Sequence, residues 1–140
     1  MDIEECKRKG FIKKTAVNTS LVKSLLEVAG IKENAVKSDA NEANISAYVP
    51  MAYDSLREVL EAFCVLHGYK VMSHVCLGEL VKTLLKDFDY FSFDRFRYAS
   101  NSINYYGEKI GFKEGNEMIK KIFALKRKME DEIKLLMGDV

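Results

Sequence analysis

The chain is poor in the residues that usually announce function. Its 140 residues include one proline, two histidines and three cysteines. A single proline and eight glycines leave little room for long irregular linkers. An odd cysteine count with no paired framework (Cys6, Cys64, Cys76) predicts free thiols and a reducing, cytoplasmic setting. The net charge is only +1, so no global field draws the chain to nucleic acid or an anionic surface. No apolar run reaches the length of a membrane span, and the start MDIEECKRKG lacks a signal-peptide core, so no membrane partner is expected. Internal repeats and low-complexity tracts are absent too. There is no Gly-rich phosphate loop, no nucleophile elbow and no HExxH, so no cofactor and no metal are expected.

What is present is helical patterning. An apolar share of 48% and a charged share of 31% suit one globular domain over residues 1–140, with 1–14 as a charged lead-in. Asp2 to Lys9 predicts a short helix stopped by Gly10, with Phe11 and Ile12 as anchors. Asn18, Thr19 or Ser20 caps a second helix whose stripe is Leu21, Leu25, Val28, Ala29, Ile31 and Val36. Gly30 inside it marks a candidate close helix contact. A long third helix spans about Asn41 to His67, burying Ile45, Val49, Ala52, Tyr53, Leu56, Leu60, Phe63 and Leu66, with Arg57, Glu58 and Glu61 outward. Pro50 either kinks it or sits in its first turn. Tyr69 to Met72 reads as a connector, and Ser73 caps a fourth helix ending near Asp87. Asp89 to Ser92 is a turn, and Phe93 to Gly107 is the fifth helix. After a loop, Asn116 to Leu136 is the last, with Lys126 among its polar positions. No run alternates as a strand does. The expected fold is all-α: an antiparallel up-and-down bundle of about five main helices with a short N-terminal helix.

Three clusters carry candidate chemistry. Lys7, Arg8, Lys9, Lys13 and Lys14 form a basic lead-in, read either as a solvated face offset by Asp2, Glu4 and Glu5 or as a nucleic-acid contact. Cys64, His67, His74 and Cys76 are zinc-ligand types around one connector. However, i and i+2 positions point apart on a helix, and Cys64 beside Phe63 reads as a core thiol. The third cluster is FDRFRYASNSINYYG. Arg97, Asn101 and Asn104 at i, i+4, i+7 share one side of a helix, although asparagine is a poor interior helix residue. They read either as a polar seam between helices or subunits, or as an Arg-and-amide cluster for a phosphate. Asp54 pairs locally with Arg57 or orients Arg97. No histidine lies near this stretch in sequence, so a general base is missing.

Several segments together resemble a HEPN domain of the prokaryotic type found beside minimal nucleotidyltransferases. They are KRKGFIKK, then LVKSLLEVA, then AYDSLREVLEAFCVLHGYKVMSH, then NSINYYG and the charged helix after it. The resemblance spans nearly the whole chain and implies a helical bundle that pairs as a homodimer. Active members carry an Arg, a spacer of about four to six residues and a His, and cleave RNA without metal in a cleft lined by both copies. Many relatives lack the motif and serve as binding partners, in toxin–antitoxin-like pairs with a separate nucleotidyltransferase. Here the register set by Gly107 puts Ser100 at the Arg position, Asn101 at the polar position and Tyr105 at the His position. The alternative register pairs Arg97 with Asn104. Neither retains a His, and an ordinary tyrosine, with a pKa of about 10, is a weak base near neutrality. The resemblance therefore implies a binding or regulatory subunit, with nucleotide or RNA held by Asp54, Arg97, Ser100, Asn101, Asn104 and Tyr105. The runner-up is a weakly active endoribonuclease toxin using Arg97 and Tyr105, and the third reading is a plain interaction bundle.

Overall fold

A computed structural model describes residues 1–138; the last two residues of the expected 1–140 domain lie outside them. The bundle is helical throughout except for one small ribbon. In order it has α1 (Ile3–Arg8), β1 (Ile12–Lys14), α2 (Thr19–Asp39), α3 (Ile45–Leu66), β2 (Tyr69–Val71), α4 (His74–Leu84), α5 (Tyr90–Tyr106) and α6 (Phe112–Met137). This is the expected all-α bundle with a short N-terminal helix.

Local chemistry sets most boundaries. Asn18 Oδ1 accepts the Leu21 N–H at 3.0 Å and Ser73 caps α4 through the Cys76 N–H, as the sequence predicts. Asp89 is a cap rather than part of a turn: it accepts the Ser92 N–H at 3.1 Å and the Ser92 hydroxyl at 2.7 Å, so α5 starts three residues earlier than Phe93. Gly107 ends α5 in the left-handed region at φ 65°. At the other boundary α6 begins at Phe112, absorbing part of the expected loop.

Helix α3 is the centre, touching α2, α4, α5, α6 and β2. It therefore has no fully solvent-facing side, and the outward placement of Arg57, Glu58 and Glu61 does not hold. Glu58 is buried and pairs with Lys32 of α2 at 2.9 Å, and Arg57 and Glu61 are half-buried. Pro50 lies inside a continuous α3, not in its first turn. Nearby, the Ser46 hydroxyl accepts the Ile110 N–H at 3.0 Å and fastens the loop before α6. On α2 the buried face is Val22, Ala29, Glu33 and Val36, whereas Leu21, Val28 and Ile31 are exposed. Gly30 approaches nothing within 4 Å, so it marks no close helix contact. The close approaches are at Gly78, where a Cβ would lie 2.9 Å from the Phe93 ring, and at Gly115, where it would lie 2.6 Å from Ile45.

Two features, one ionic and one covalent, tie distant elements together. Lys126, 2% exposed, reaches from α6 to Glu33 of α2 at 2.6 Å; Lys37 also pairs with Glu33, and Arg127 lies 3.6 Å from it. Placing Lys126 on the polar side of α6 is thus corrected. The second feature is a disulfide. Cys6 and Cys76, both fully buried, are bonded across 70 residues and join α1 to α4. This overturns the expectation of free thiols and removes the odd-count argument for a reducing compartment. Only Cys64 is free, and burial pushes its thiol far above the usual range. Pairing of Cys6 with Cys76 follows from the ribbon: β1 lies antiparallel on β2 with Ile12 opposite Val71, which carries α1 to the start of α4. Among the described residues no helix is long and apolar enough to cross a membrane.

Candidate functional site

The polar side of α5 comes first. Arg97 is folded back onto its own helix: its Nε and Nη2 donate to Asp94 Oδ1 at 3.0 and 2.8 Å. Asp54 takes Arg57 at 3.6 Å instead of Arg97, and Arg57 Nη1 donates to Glu61 Oε1 at 2.8 Å. Of the two readings for Asp54, the local pair is the one formed. Ser100 is 1% exposed with its hydroxyl unpartnered in the core, so it lines no surface. Asn101 is half-buried, and Asn104 and Tyr105 are exposed. The helix therefore aligns Arg97, Asn101 and Asn104 on one side, leaves Tyr105 beside them, and turns Ser100 inward.

The feature that the polar reading missed is the adjoining side of the same helix. Phe91, Tyr98 and Tyr105 recur every seven residues and are 83%, 70% and 78% exposed; Tyr106 beside them is 80% exposed. Seven residues are nearly two turns, so the first three rings share one row. The spacing was legible in the sequence, but Tyr105 was read only through the motif register, and Phe91 and Tyr98 were not singled out. Phe93 and Phe96 do fill the core, on the opposite side.

A second polar group forms where α3, α4 and α5 meet. The buried Tyr53 hydroxyl lies 3.3 Å from His74 Nδ1. Burial lowers the pKa of His74, with Arg57 and Arg97 adding to this and Asp54 opposing, so the imidazole is neutral at pH 7. Burial likewise raises the Tyr53 phenol well above its ordinary value. The packing thus brings a histidine to the neighbourhood of Arg97 and Asp54, which sequence distance alone did not indicate. His67 stays apart, its ring tilted against Phe63 with centroids 4.7 Å apart. Glu61 is raised by burial, against the lowering effect of Arg57. Every arginine here is compensated by a carboxylate, and the phenol stays protonated. The group offers hydrogen bonds but no free cation and no activated nucleophile.

His74 and Glu61 also line a cavity of about 600 Å³ together with the three residues of β2 and with Leu21, Leu25 and Val65. Among the described residues no cluster of three or more His, Cys, Asp or Glu could hold a metal, and Cys76 is committed to its disulfide. In comparisons with known proteins the chain matches no family model, no curated protein and no solved structure.

Proposed function

We propose that this chain is a HEPN-like binding or regulatory protein, acting as the partner or substrate-binding subunit of a minimal nucleotidyltransferase and pairing as a homodimer through α5. The observation that carries this is the exposed aromatic row Phe91, Tyr98 and Tyr105, with Tyr106 beside it. An aromatic side chain buries about 150–250 Å². Four of them approach, in order of magnitude, the roughly 800 Å² that each partner contributes to a stable interface. Tyrosine and phenylalanine are the residues that dominate such contacts. Beside the row, Asn101 and Asn104 supply amides for a nucleotide or RNA.

In this reading the protein does not cleave RNA. Arg97 is held by Asp94, and Ser100, at the position of the family arginine, is buried. The decisive experiment is mass in solution across concentration. The wild-type chain is expected to dimerise, and Tyr98→Glu with Tyr105→Glu to be monomeric with unchanged helicity. A wild-type chain that stays monomeric at all concentrations overturns the α5 interface. A parallel incubation with structured RNA, without metal, is expected to leave the RNA intact; cleavage abolished by Arg97→Ala would overturn the non-catalytic reading.

A further inference from the structure

The ribbon has an open edge that α5 does not touch. It holds two strands only, β1 beside β2. Three residue pairs are hydrogen-bonded in register: Phe11 with Met72, Lys13 with Lys70, and Thr15 with Gly68, the outer two showing N···O distances of 2.7 and 2.9 Å. In an antiparallel pair the residues between such pairs turn their backbone groups the other way. The N–H and C=O of Tyr69 and Val71 therefore point away from β1. The 600 Å³ cavity lies beside β2: all three residues of β2 line it, together with Thr15 and Ala16 just past the end of β1. Leu21, Leu25 and Val65 give it an apolar lining, and His74 and the Arg57-bound Glu61 also line it. This combines a row of unsatisfied strand-edge groups with an apolar trough alongside, the two parts of a strand-addition site.

Charge selects the occupant. Lys13 and Lys70 face each other across the ribbon on its outer side, an arrangement of like charges that costs stability. Neither takes part in an ion pair among the described residues. Lys14 is also exposed. A second copy added at this edge would bring its own Lys13 and Lys70 to the same face. We propose that β2 accepts an extended segment of a partner protein that alternates apolar and acidic side chains, apolar residues entering the trough beside Tyr69 and Val71 and an acidic residue lying next to Lys70. This site is separate from α5 and does not depend on how that helix is used.

The test is fluorescence anisotropy with a labelled peptide of about seven residues alternating valine and glutamate. It is expected to bind at least about tenfold more tightly than the same peptide with lysine for glutamate. Methylating the amide nitrogens that face β2 should weaken it about tenfold, because those groups complete the ladder. Lys70→Glu places a carboxylate opposite Lys13, which favours folding, and should reverse the charge preference. Absence of binding, binding indifferent to backbone methylation, or an unchanged preference in Lys70→Glu each overturn the proposal. None of these results bears on dimerisation through α5, which is read separately from solution mass.

Discussion

Reducing the Cys6–Cys76 bond should remove a large share of this bundle's stability. The bond closes a loop across 70 residues, and the chain-entropy relation for a loop of that size gives about 4 kcal/mol at 25 °C. That compares with a total of about 5–15 kcal/mol for an ordinary domain. The assay is urea unfolding followed by helical circular dichroism, with and without a thiol reductant. With a slope of roughly 2 kcal/mol per molar urea, the midpoint should fall by about 2 M on reduction. Thiol titration of the unfolded chain should count one group before reduction, Cys64, and three after it. Because both sulfurs are fully buried, reduction of the folded protein should be slow and should follow local opening of α1. The paired variant Cys6→Ala with Cys76→Ala should match the reduced wild type and ignore reductant. Coincident midpoints in the two conditions, or three titratable thiols in the unreduced chain, would refute the reasoning.

Two further outcomes follow from the buried charges. Lys126→Met leaves Glu33 with Lys37 and Arg127, so the loss should be roughly 3 kcal/mol, the low end for breaking a buried pair. Glu33→Gln should cost more, since Lys126 keeps only Glu130 at 3.4 Å; urea midpoints order the two variants. Burial would raise the Glu33 carboxyl, but Lys126 and Lys37 outweigh it and hold the carboxyl below its ordinary 4.5. Its contribution is therefore present above pH 4.5 and lost as pH falls through the lower folded value, so acid should destabilise wild type more steeply than Glu33→Gln. His74 has the same sign for a different reason: its folded pKa lies below 6.5, so the unfolded chain takes up the proton first and stability falls as pH drops below 6.5. An imidazole titration by NMR should give a midpoint below 6.5 that moves upward in Arg57→Gln; no movement would dismiss the Arg57 influence.

The helices were legible because their signals are local. Asn18, Ser73 and Gly107 are caps that act within five residues, and the apolar periods of α3 and α6 span many turns. The ribbon was not legible: three residues per strand are too few to show alternation, and Lys13 and Lys14 mask the pattern. The disulfide depends on that ribbon and was hidden with it. On α5 the acid that holds Arg97 went unnamed: Asp54 was read as a partner of either Arg57 or Arg97, and Asp94 was not considered. Asp94, three residues away on the same helix, needs no tertiary packing to reach it, whereas Asp54 does. Ser100 was assigned to a surface by motif register, although it lies between Phe93, Phe96 and Ile103 on the inward side of the helix. His74 could not be placed near Arg97 before the crossing of α3, α4 and α5 was known.

The aromatic row on α5 also constrains the shape of whatever covers it. Phe91, Tyr98 and Tyr105 are spaced by seven, and an α-helix drifts about 20° per seven residues. Over the about 21 Å from first ring to last, the row turns by roughly 40° around the helix. A partner lying parallel to α5 crosses this slanting row instead of following it. A second helix follows the row best when it leans across α5 at a shallow angle of about 20° and winds with it in a left-handed sense. For a helical partner of the kind proposed above, the spacing of the three rings thus favours a left-handed, shallow crossing.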